Sequence, residues 1–316
     1  MQTLESVSRR EWKVFPFGLV LPGIAGIPWT WLNPGWNDDI RSGSLDRNRV
    51  RQFQFDFSGE SMDSPDRVTI ENRPIKETER FSFQCHSGLS CFTGCCRNAD
   101  MYLYPYDIVR MKNRLGISSG EFLEQHTVTA IRGNPFFPNV MLKMSDQDDK
   151  ACPFLSGNGC RVYEDRPFSC RAYPMERGVS PLDHIGNRDI LHFIAIHSYC
   201  KGHGESREWT VREWIENQEI LPFIEMNDSW TDLDVIFRTN PWGEQGLNAK
   251  AFKMAFMGSY NMDAFRNFVF SSSFLERFAI SEGRIKDIRN SETELLKLGF
   301  DWITFFLTGK GSLSTG

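Results

Sequence analysis

The 316-residue sequence lacks several features that would assign it directly to a functional class. No run of Lys and Arg stands out and the formal net charge is −5, so nucleic acid is not an expected partner. No glycine-rich nucleotide-binding loop is evident. The C-x2-C pair that structural zinc sites commonly use is also absent.

Long uninterrupted apolar runs are missing as well. The most apolar segment near the start, Val14 to Leu32, contains the helix breakers Pro16, Gly18, Pro22, Gly23, Gly26 and Pro28. A signal or membrane helix would not tolerate that density of breakers, and no A-x-A cleavage site follows. We therefore expect no transmembrane segment and a cytoplasmic location. Residues 1–78 are predicted to form an extended proline- and glycine-rich arm that wraps over the chain or docks on a partner.

What the sequence does contain is a concentration of cysteine. The first set is Cys85, Cys91, Cys95 and Cys96, in the pattern C-x5-C-x3-C-C, and the second set is Cys152, Cys160, Cys170 and Cys200. These two sets use all eight cysteines of the chain. Disulfides need an oxidising compartment, whereas thiolates in a reducing one select zinc and iron–sulfur clusters. We therefore predict that all eight cysteines are metal ligands.

The spacing of the first set bears on the identity of the metal. Cys95 and Cys96 are adjacent, and adjacent side chains point in different directions, so they chelate one zinc ion poorly. An iron–sulfur cluster is larger and offers several irons. We expect an iron–sulfur cluster, [4Fe–4S] in the first instance, or two clusters if all eight cysteines ligate, with zinc as the alternative. His86 and His203 lie within three residues of a cysteine and are further candidates.

Cationic residues surround the second set. Arg161, Arg166 and Arg171 would lower the pKa of nearby thiols and offset the negative charge of a cluster, which makes them predicted cofactor-binding residues. The alternative is that they form surface ion pairs with Glu164 and Asp165.

Three segments carry a family resemblance: CHSGLSCFTGCC, CPFLSGNGCRVYEDRPFSCRAYP and the late CKGHG. Together they resemble the CxxCxxCC family, also called the YkgJ type and described as zinc- or iron-chelating, over about residues 83–204. The resemblance implies a metallocluster and adds Tyr163 to the cofactor-binding residues. The first spacing departs from the family's C-x2-C-x2-C-C. It is closer to the flagellin lysine methylase branch, whose members are regarded as iron–sulfur proteins.

The remaining pattern predicts an α+β fold, mainly helical and irregular, organised around a buried cysteine-ligated metal site. Ser118 with Glu121, and Thr210 with Glu213, form capping boxes that begin helices. The alternation in residues 189–200 fits either a strand or a buried helix. We predict three regions: the arm 1–78, a cysteine-cluster metal-binding domain 79–204 and a helical C-terminal region 205–316.

The expected function is that of a metal-cluster protein, in the first instance iron–sulfur, acting in redox chemistry or electron transfer with a partner protein. One alternative is an iron–sulfur-dependent enzyme that modifies proteins, as the methylase-like resemblance implies. Another is a zinc-stapled interaction module. No catalytic residue is assigned from the sequence.

Overall fold

A computed structural model describes residues 68–70, 73–180, 182 and 186–316. The predicted arm lies outside the described residues except for its last part. The strands are β1 (Val68–Ile70), β2 (Arg80–Ser82), β3 (Tyr102–Leu103), β4 (Thr127–Ala130), β5 (Asn139–Leu142), β6 (Leu155–Ser156), β7 (Gly159–Cys160), β8 (Met175–Val179), β9 (Ile190–His197) and β10 (Glu208–Thr210). The helices are α1 (Pro105–Leu115), α2 (Ser119–His126), α3 (Phe168–Ala172), α4 (Val211–Asn217), α5 (Leu221–Arg238), α6 (Lys250–Tyr260), α7 (Met262–Ser271), α8 (Phe274–Arg277), α9 (Glu282–Asn290) and α10 (Glu292–Thr308).

Both predicted capping boxes begin helices. At α2 the N–H of Glu121 donates to the Ser118 hydroxyl at 3.2 Å, and the N–H of Ser118 donates to the Glu121 carboxylate at 2.8 Å. At α4 the corresponding bonds between Thr210 and Glu213 measure 3.3 and 2.7 Å. Each box satisfies backbone donors that the first helical turn leaves unpaired. The predicted α+β class is confirmed.

Short antiparallel sheets connect the helices. β9 is the central strand of the order β1-β9-β8, so residues 190–197 form a strand and not the buried helix that the pattern also allowed. β5 lies between β3 and β4, and β2 pairs with β10. β6 and β7 form a hairpin in which Leu155 lies opposite Cys160.

The larger of two hydrophobic clusters, which we call the helical core, consists of buried residues spread along the chain, the first of which is Leu103 and the last Leu313. The Phe137 and Phe237 rings stack within it, with their centroids 4.2 Å apart. Helices α6 and α10 approach closely, since a Cβ added to Gly299 would lie 2.0 Å from the carbonyl oxygen of Gly258. Only glycine fits at that contact.

The second cluster, which we call the smaller core, consists of Ile75, Phe81, Phe83, Ala172, Met175, Ile194, Trp209, Val211, Trp214 and Ile220. Two indole N–H groups satisfy carbonyls inside it. Trp209 donates to Phe83 at 2.8 Å, and Trp214 donates to Ala172 at 2.8 Å. Both tryptophans belong to the predicted helical region 205–316, so this region shares a core with the predicted cysteine domain. The domain bounds themselves stay a prediction.

None of the helices α1 to α10 combines the length and the apolar composition that a membrane-crossing helix requires.

Candidate metal centre

The first cysteine set folds into consecutive tight turns. Cys95 and Cys96 lie in a 3-10 turn that follows Thr93, whose φ of 64° is left-handed. The N–H of Gly94 donates to the carbonyl of Cys91 at 2.8 Å, and the N–H of Cys96 donates to the carbonyl of Thr93 at 3.0 Å. These bonds hold Cys91 within one turn of the adjacent pair.

The loop that carries Cys200 packs against the beginning of the first set. The N–H of Lys201 donates to Cys91 Sγ at 3.1 Å. The N–H of Gln84, next to Cys85, donates to the carbonyl of Gly202 at 3.0 Å. Cys200, which the sequence places with the second set, therefore lies beside Cys85 and Cys91.

The second set begins with a hairpin. Cys160 lies opposite Leu155 in the β6–β7 pair, and the N–H of Leu155 donates to the carbonyl of Cys152 at 3.0 Å. The N–H of Cys152 in turn donates to the carbonyl of Cys96 at 2.7 Å. This bond joins the two sequence sets through their backbones.

The thiols of the hairpin have raised pKa values. Burial raises the pKa of the Cys152 thiol, and the nearby backbone N–H groups of Phe154 and Leu155 partly oppose that rise. Burial likewise raises the pKa of Cys160, and the N–H of Val162 opposes it. An N–H donor stabilises the thiolate over the thiol, and the thiolate is the form that binds a metal.

The adjacent cysteines differ sharply in acidity. The thiol of Cys96 hydrogen-bonds to Cys95 and lowers the pKa of Cys95 to about 7, while the same bond raises the pKa of Cys96. Cys95 is therefore the more acidic thiol of the pair. Burial, together with the neighbouring Cys95, Cys200 and Cys91, raises the pKa of Cys85 to about 11.

Cys170 is carried by α3. Its Sγ lies 3.6 Å from Met101 Sδ. Desolvation by the surrounding protein raises its pKa strongly, although the residue as a whole is exposed, and the charges of Cys95, Cys152 and Cys160 add to the rise. Cys170 thus lies within electrostatic range of the hairpin and of the adjacent pair.

Two of the predicted cofactor-binding arginines are buried. Arg166 and Arg171 are only 7% and 2% exposed. Arg166 donates to the side-chain oxygen of Gln218 at 2.7 Å and to the carbonyl of Tyr163 at 2.6 Å. Arg171 donates to the carbonyl of Gln218 at 2.7 Å and to that of Glu164. Both guanidinium groups therefore tie the cysteine loop to the end of α4.

The other two predicted residues lie nearer the surface. Arg161 donates to the carbonyl of Pro153 at 2.6 Å, and its charge partly opposes the rise that burial causes in the pKa of Cys160. Tyr163 is 54% exposed, and the Arg166 guanidinium lies 4.0 Å from its ring centroid. The alternative of surface ion pairs does not describe Arg166 and Arg171, since both are buried. Cofactor binding by these four residues stays a prediction.

Tyr173 is a site residue that the sequence analysis missed. Burial and then the nearby Cys200 thiol raise the pKa of its hydroxyl, which lies 3.2 Å from His203 Nε2. In the sequence, only its position three residues after Cys170 indicated that it could belong to the site. The other candidate histidine, His86, faces the Glu205 carboxylate at 3.6 Å.

Asp107 is the second residue that was missed. It is fully buried in α1 and accepts hydrogen bonds from the N–H groups of Tyr104 and Phe168, both at 2.8 Å. Burial raises the pKa of this carboxyl to about 7, against the lowering effect of these donors and of Arg171. In sequence it is an ordinary acidic residue of a first helical turn, which gives no signal of its burial.

The donor set suits a thiophilic metal by its chemistry. All eight cysteines are free thiols, and they are exposed or half-buried, so the site lies nearer the surface than predicted. Within the described residues, no group of three or more His, Cys, Asp or Glu side chains is already arranged around one ion. Ligation therefore requires thiol rotation, and the ligand roles stay predictions.

Comparison with known proteins supplies one match. No curated protein and no solved structure matches the chain. Residues 84–201, a little over a third of the chain, match the sequence profile of one family and include all eight cysteines. The match does not separate the YkgJ type from the methylase branch, and both remain predictions. The family that matches these residues is CxxCxxCC, described as a putative zinc- or iron-chelating domain.

Proposed function

We propose that the CxxCxxCC domain holds an iron–sulfur centre and acts in redox chemistry or electron transfer with a partner protein. The observation that carries the proposal is a backbone N–H directed at sulfur, since Lys201 donates to Cys91 Sγ at 3.1 Å although the two residues are 110 positions apart. Such donors favour thiolates and tune the reduction potential of a cluster that those thiolates bind.

The number and the adjacency of the cysteines favour a cluster over a single zinc ion. A tetrahedral zinc site uses four ligands, whereas this segment has eight cysteines, two of them consecutive. A cluster of several irons accepts ligands over a wider span.

The exposure of the site supports a role with a partner. Cys85, Cys95 and Cys170 are exposed. A centre bound by these residues lies close to the surface, where another protein can approach it. Solvent exposure and hydrogen bonds to sulfur are also the means by which a protein sets the potential of a cluster.

Anaerobic purification of the full chain tests the proposal. We expect a brown protein that contains iron and acid-labile sulfide in roughly equal amounts and bleaches on reduction. Stoichiometric zinc without sulfide would overturn the iron–sulfur assignment in favour of a zinc-stapled module. Absence of both metals would overturn the metal-binding function.

A substitution pair sharpens the same test. Cys152→Ser should reduce the iron content, because it removes a predicted ligand at the point where the two cysteine sets are joined by the Cys152 N–H bond to the carbonyl of Cys96. Ser169→Ala is the matched control, since the buried Ser169 hydroxyl has no hydrogen-bond partner. Equal iron in both variants would contradict the assignment of Cys152 as a ligand.

A further inference from the structure

A cavity of about 510 Å³ lies at the edge of the smaller core, between residues of β8, β9, α4 and α5. Ile75 belongs to the smaller core, Ile215 and Ile224 pack against it, and all three line the cavity. All eight cysteines lie in the described part of the chain, and none of them lines this cavity. Its volume is within the range of about 300–1,000 Å³ that is usual for small-molecule sites.

A row of three residues crosses the sheet at the cavity. His192 in β9 lies opposite Arg177 in β8, and a β-bridge joins it to Ile75 on its other side. Residues that lie opposite each other in an antiparallel pair point to the same face of the sheet. Side chains alternate along a strand, so His192 shares this face with Ile194 of the smaller core. The His192 ring therefore lies in the cavity wall between an apolar and a cationic side chain.

One nitrogen of the His192 ring is buried without a partner. The residue is 7% exposed, and its Nε2 has no hydrogen-bond partner among the described residues. Such an atom destabilises a fold, and its presence in a native structure calls for an explanation. The χ2 torsion of histidine is broad, so a rotation of the ring can turn Nε2 towards a group in the cavity.

The polar side chains that line the cavity favour an anion. Burial and the charge of Arg177 lower the pKa of His192, against the effect of Glu77, so the ring is neutral at neutral pH and can donate one hydrogen bond. The ion pair of Arg177 with Asp228 fixes the guanidinium beside it. Lys76 adds an exposed ammonium group. Three of the four polar side chains are therefore hydrogen-bond donors, and only Glu77 opposes an anionic ligand.

We propose that this cavity binds a small carboxylic acid with an apolar body. Its carboxylate accepts hydrogen bonds from Lys76 and from the His192 ring. Its apolar part packs between Ile190, Ile215 and Ile224, where the smaller core leaves Ile190 45% exposed. Because no cysteine lines the cavity, this site goes beyond the proposed function and does not depend on which metal the chain binds.

Calorimetric titration of the full chain with three probes of equal chain length tests the class of ligand. Octanoate carries a carboxylate, 1-octanol a neutral hydroxyl and octylamine a cation. We expect octanoate to bind at one saturable site, about tenfold more tightly than either other probe, because only a carboxylate accepts charge-assisted bonds from both donors. Absence of saturable octanoate binding, or equal affinities for octanoate and octylamine, would overturn the proposal.

His192→Phe keeps an aromatic ring and removes the unpartnered nitrogen. The variant should be more stable than the wild type, because an apolar atom replaces a buried polar atom without a partner. It should nevertheless bind octanoate about tenfold more weakly and 1-octanol equally well. Octanoate affinity equal to that of the wild type would contradict the proposal.

A second pair of variants locates the binding site. Ile190→Trp fills the cavity from a partly exposed position and should abolish octanoate binding. Ile131→Trp is the matched control, since Ile131 is 48% exposed and does not line the cavity. Equal octanoate affinities in these two variants would show that the probe binds elsewhere and would overturn the proposal.

Metal analysis of the same samples separates this inference from the proposed function. Octanoate binding by a chain that contains neither iron nor zinc would overturn the proposed function and support the cavity site. A brown iron–sulfur protein that does not bind octanoate would overturn the cavity site alone.

Discussion

The helical core and the smaller core stabilise the chain by different amounts of burial. The helical core gathers fully buried side chains from several helices, including Phe122 and Phe265. Burial of one such side chain contributes about 1.5–3 kcal/mol. The smaller core has far fewer residues and is formed by strands of three to eight residues, by the short helices α3 and α4 and by loops. The helical core can therefore sustain its fold by burial, which the smaller core can do only in part.

The cysteines occupy the positions where burial is weakest. Between β2 and β3 the chain forms turns and one 3-10 turn, without an α-helix. Its four cysteines are exposed or half-buried. Small regions with little core commonly depend on a bound metal for stability. The comparison thus indicates a chain in which one part folds by burial and another by ligation.

Metal removal should have the largest effect, and it should destabilise the cysteine segments much more than the helical core. Because metal binding is coupled to folding, chelation should greatly increase amide exchange in residues 83–98 and 152–171. Helices α5, α6 and α10 should change little, since the helical core holds them. Hydrogen–deuterium exchange with and without metal is the measurement. A uniform increase along the chain would break the distinction between the two parts.

The reverse experiment weakens the helical core and leaves the ligands intact. Phe237 is fully buried, so Phe237→Ala should reduce the free energy of unfolding by about 3–5 kcal/mol. Val235→Ala, at a 37%-exposed position of the same helix, should change it by less than about 0.5 kcal/mol. Urea unfolding measures both. The folded Phe237 variant should keep its full metal content, and loss of metal there would show that the two parts are not independent.

Local sequence signals predicted the helical part well. Capping boxes at Ser118 and Thr210 act within four residues, so the sequence alone locates them. The spacing of Phe252, Phe256 and Tyr260 likewise predicts the helix α6. Such signals depend on neighbouring residues and not on the fold.

The arrangement of the site could be predicted only in part. The sequence identifies the cysteines but not which of them are neighbours, because the Lys201 bond to Cys91 spans 110 residues. Burial of Arg171 and Asp107 is also a consequence of long-range packing. A charged residue in a loop or a first helical turn carries no local mark of that environment, so ion pairs at the surface were an equally good interpretation.

The buried Asp107 carboxyl predicts that the stability of the folded chain depends on pH. Its pKa is raised by burial to about 7, above the value of about 3.9 in an unfolded chain. The folded state therefore binds this proton more tightly. The resulting stability is fully present below about pH 4 and is lost as the pH rises through about 7.

Comparison with Asp107→Asn isolates this contribution. As the pH rises from 4 to 8, the free energy of unfolding of the wild type should fall relative to that of the variant by on the order of a few kcal/mol. At low pH the variant should be the less stable of the two by about 1 kcal/mol, because an amide oxygen replaces only one of the two acceptors. Urea unfolding in excess chelator excludes a contribution from metal binding. A difference between the two proteins that does not change with pH would show that Asp107 is ionised in the folded state.

The smallest expected effect concerns Tyr173, which contacts a proposed ligand from the side of the smaller core. Tyr173→Phe removes the hydroxyl that lies near the Cys200 thiol and hydrogen-bonds to His203 at 3.2 Å. Its cost in unfolding free energy should be only about 0.5–1.5 kcal/mol. Loss of a hydrogen bond to a cluster sulfur should, however, lower the reduction potential of the centre at Cys200. Tyr260→Phe is the matched control, because its buried hydroxyl bonds to the carbonyl of Leu103 in the helical core. Redox titration of both variants should show a shift only for Tyr173→Phe, and equal potentials would mean that Tyr173 supports the fold without acting on the metal.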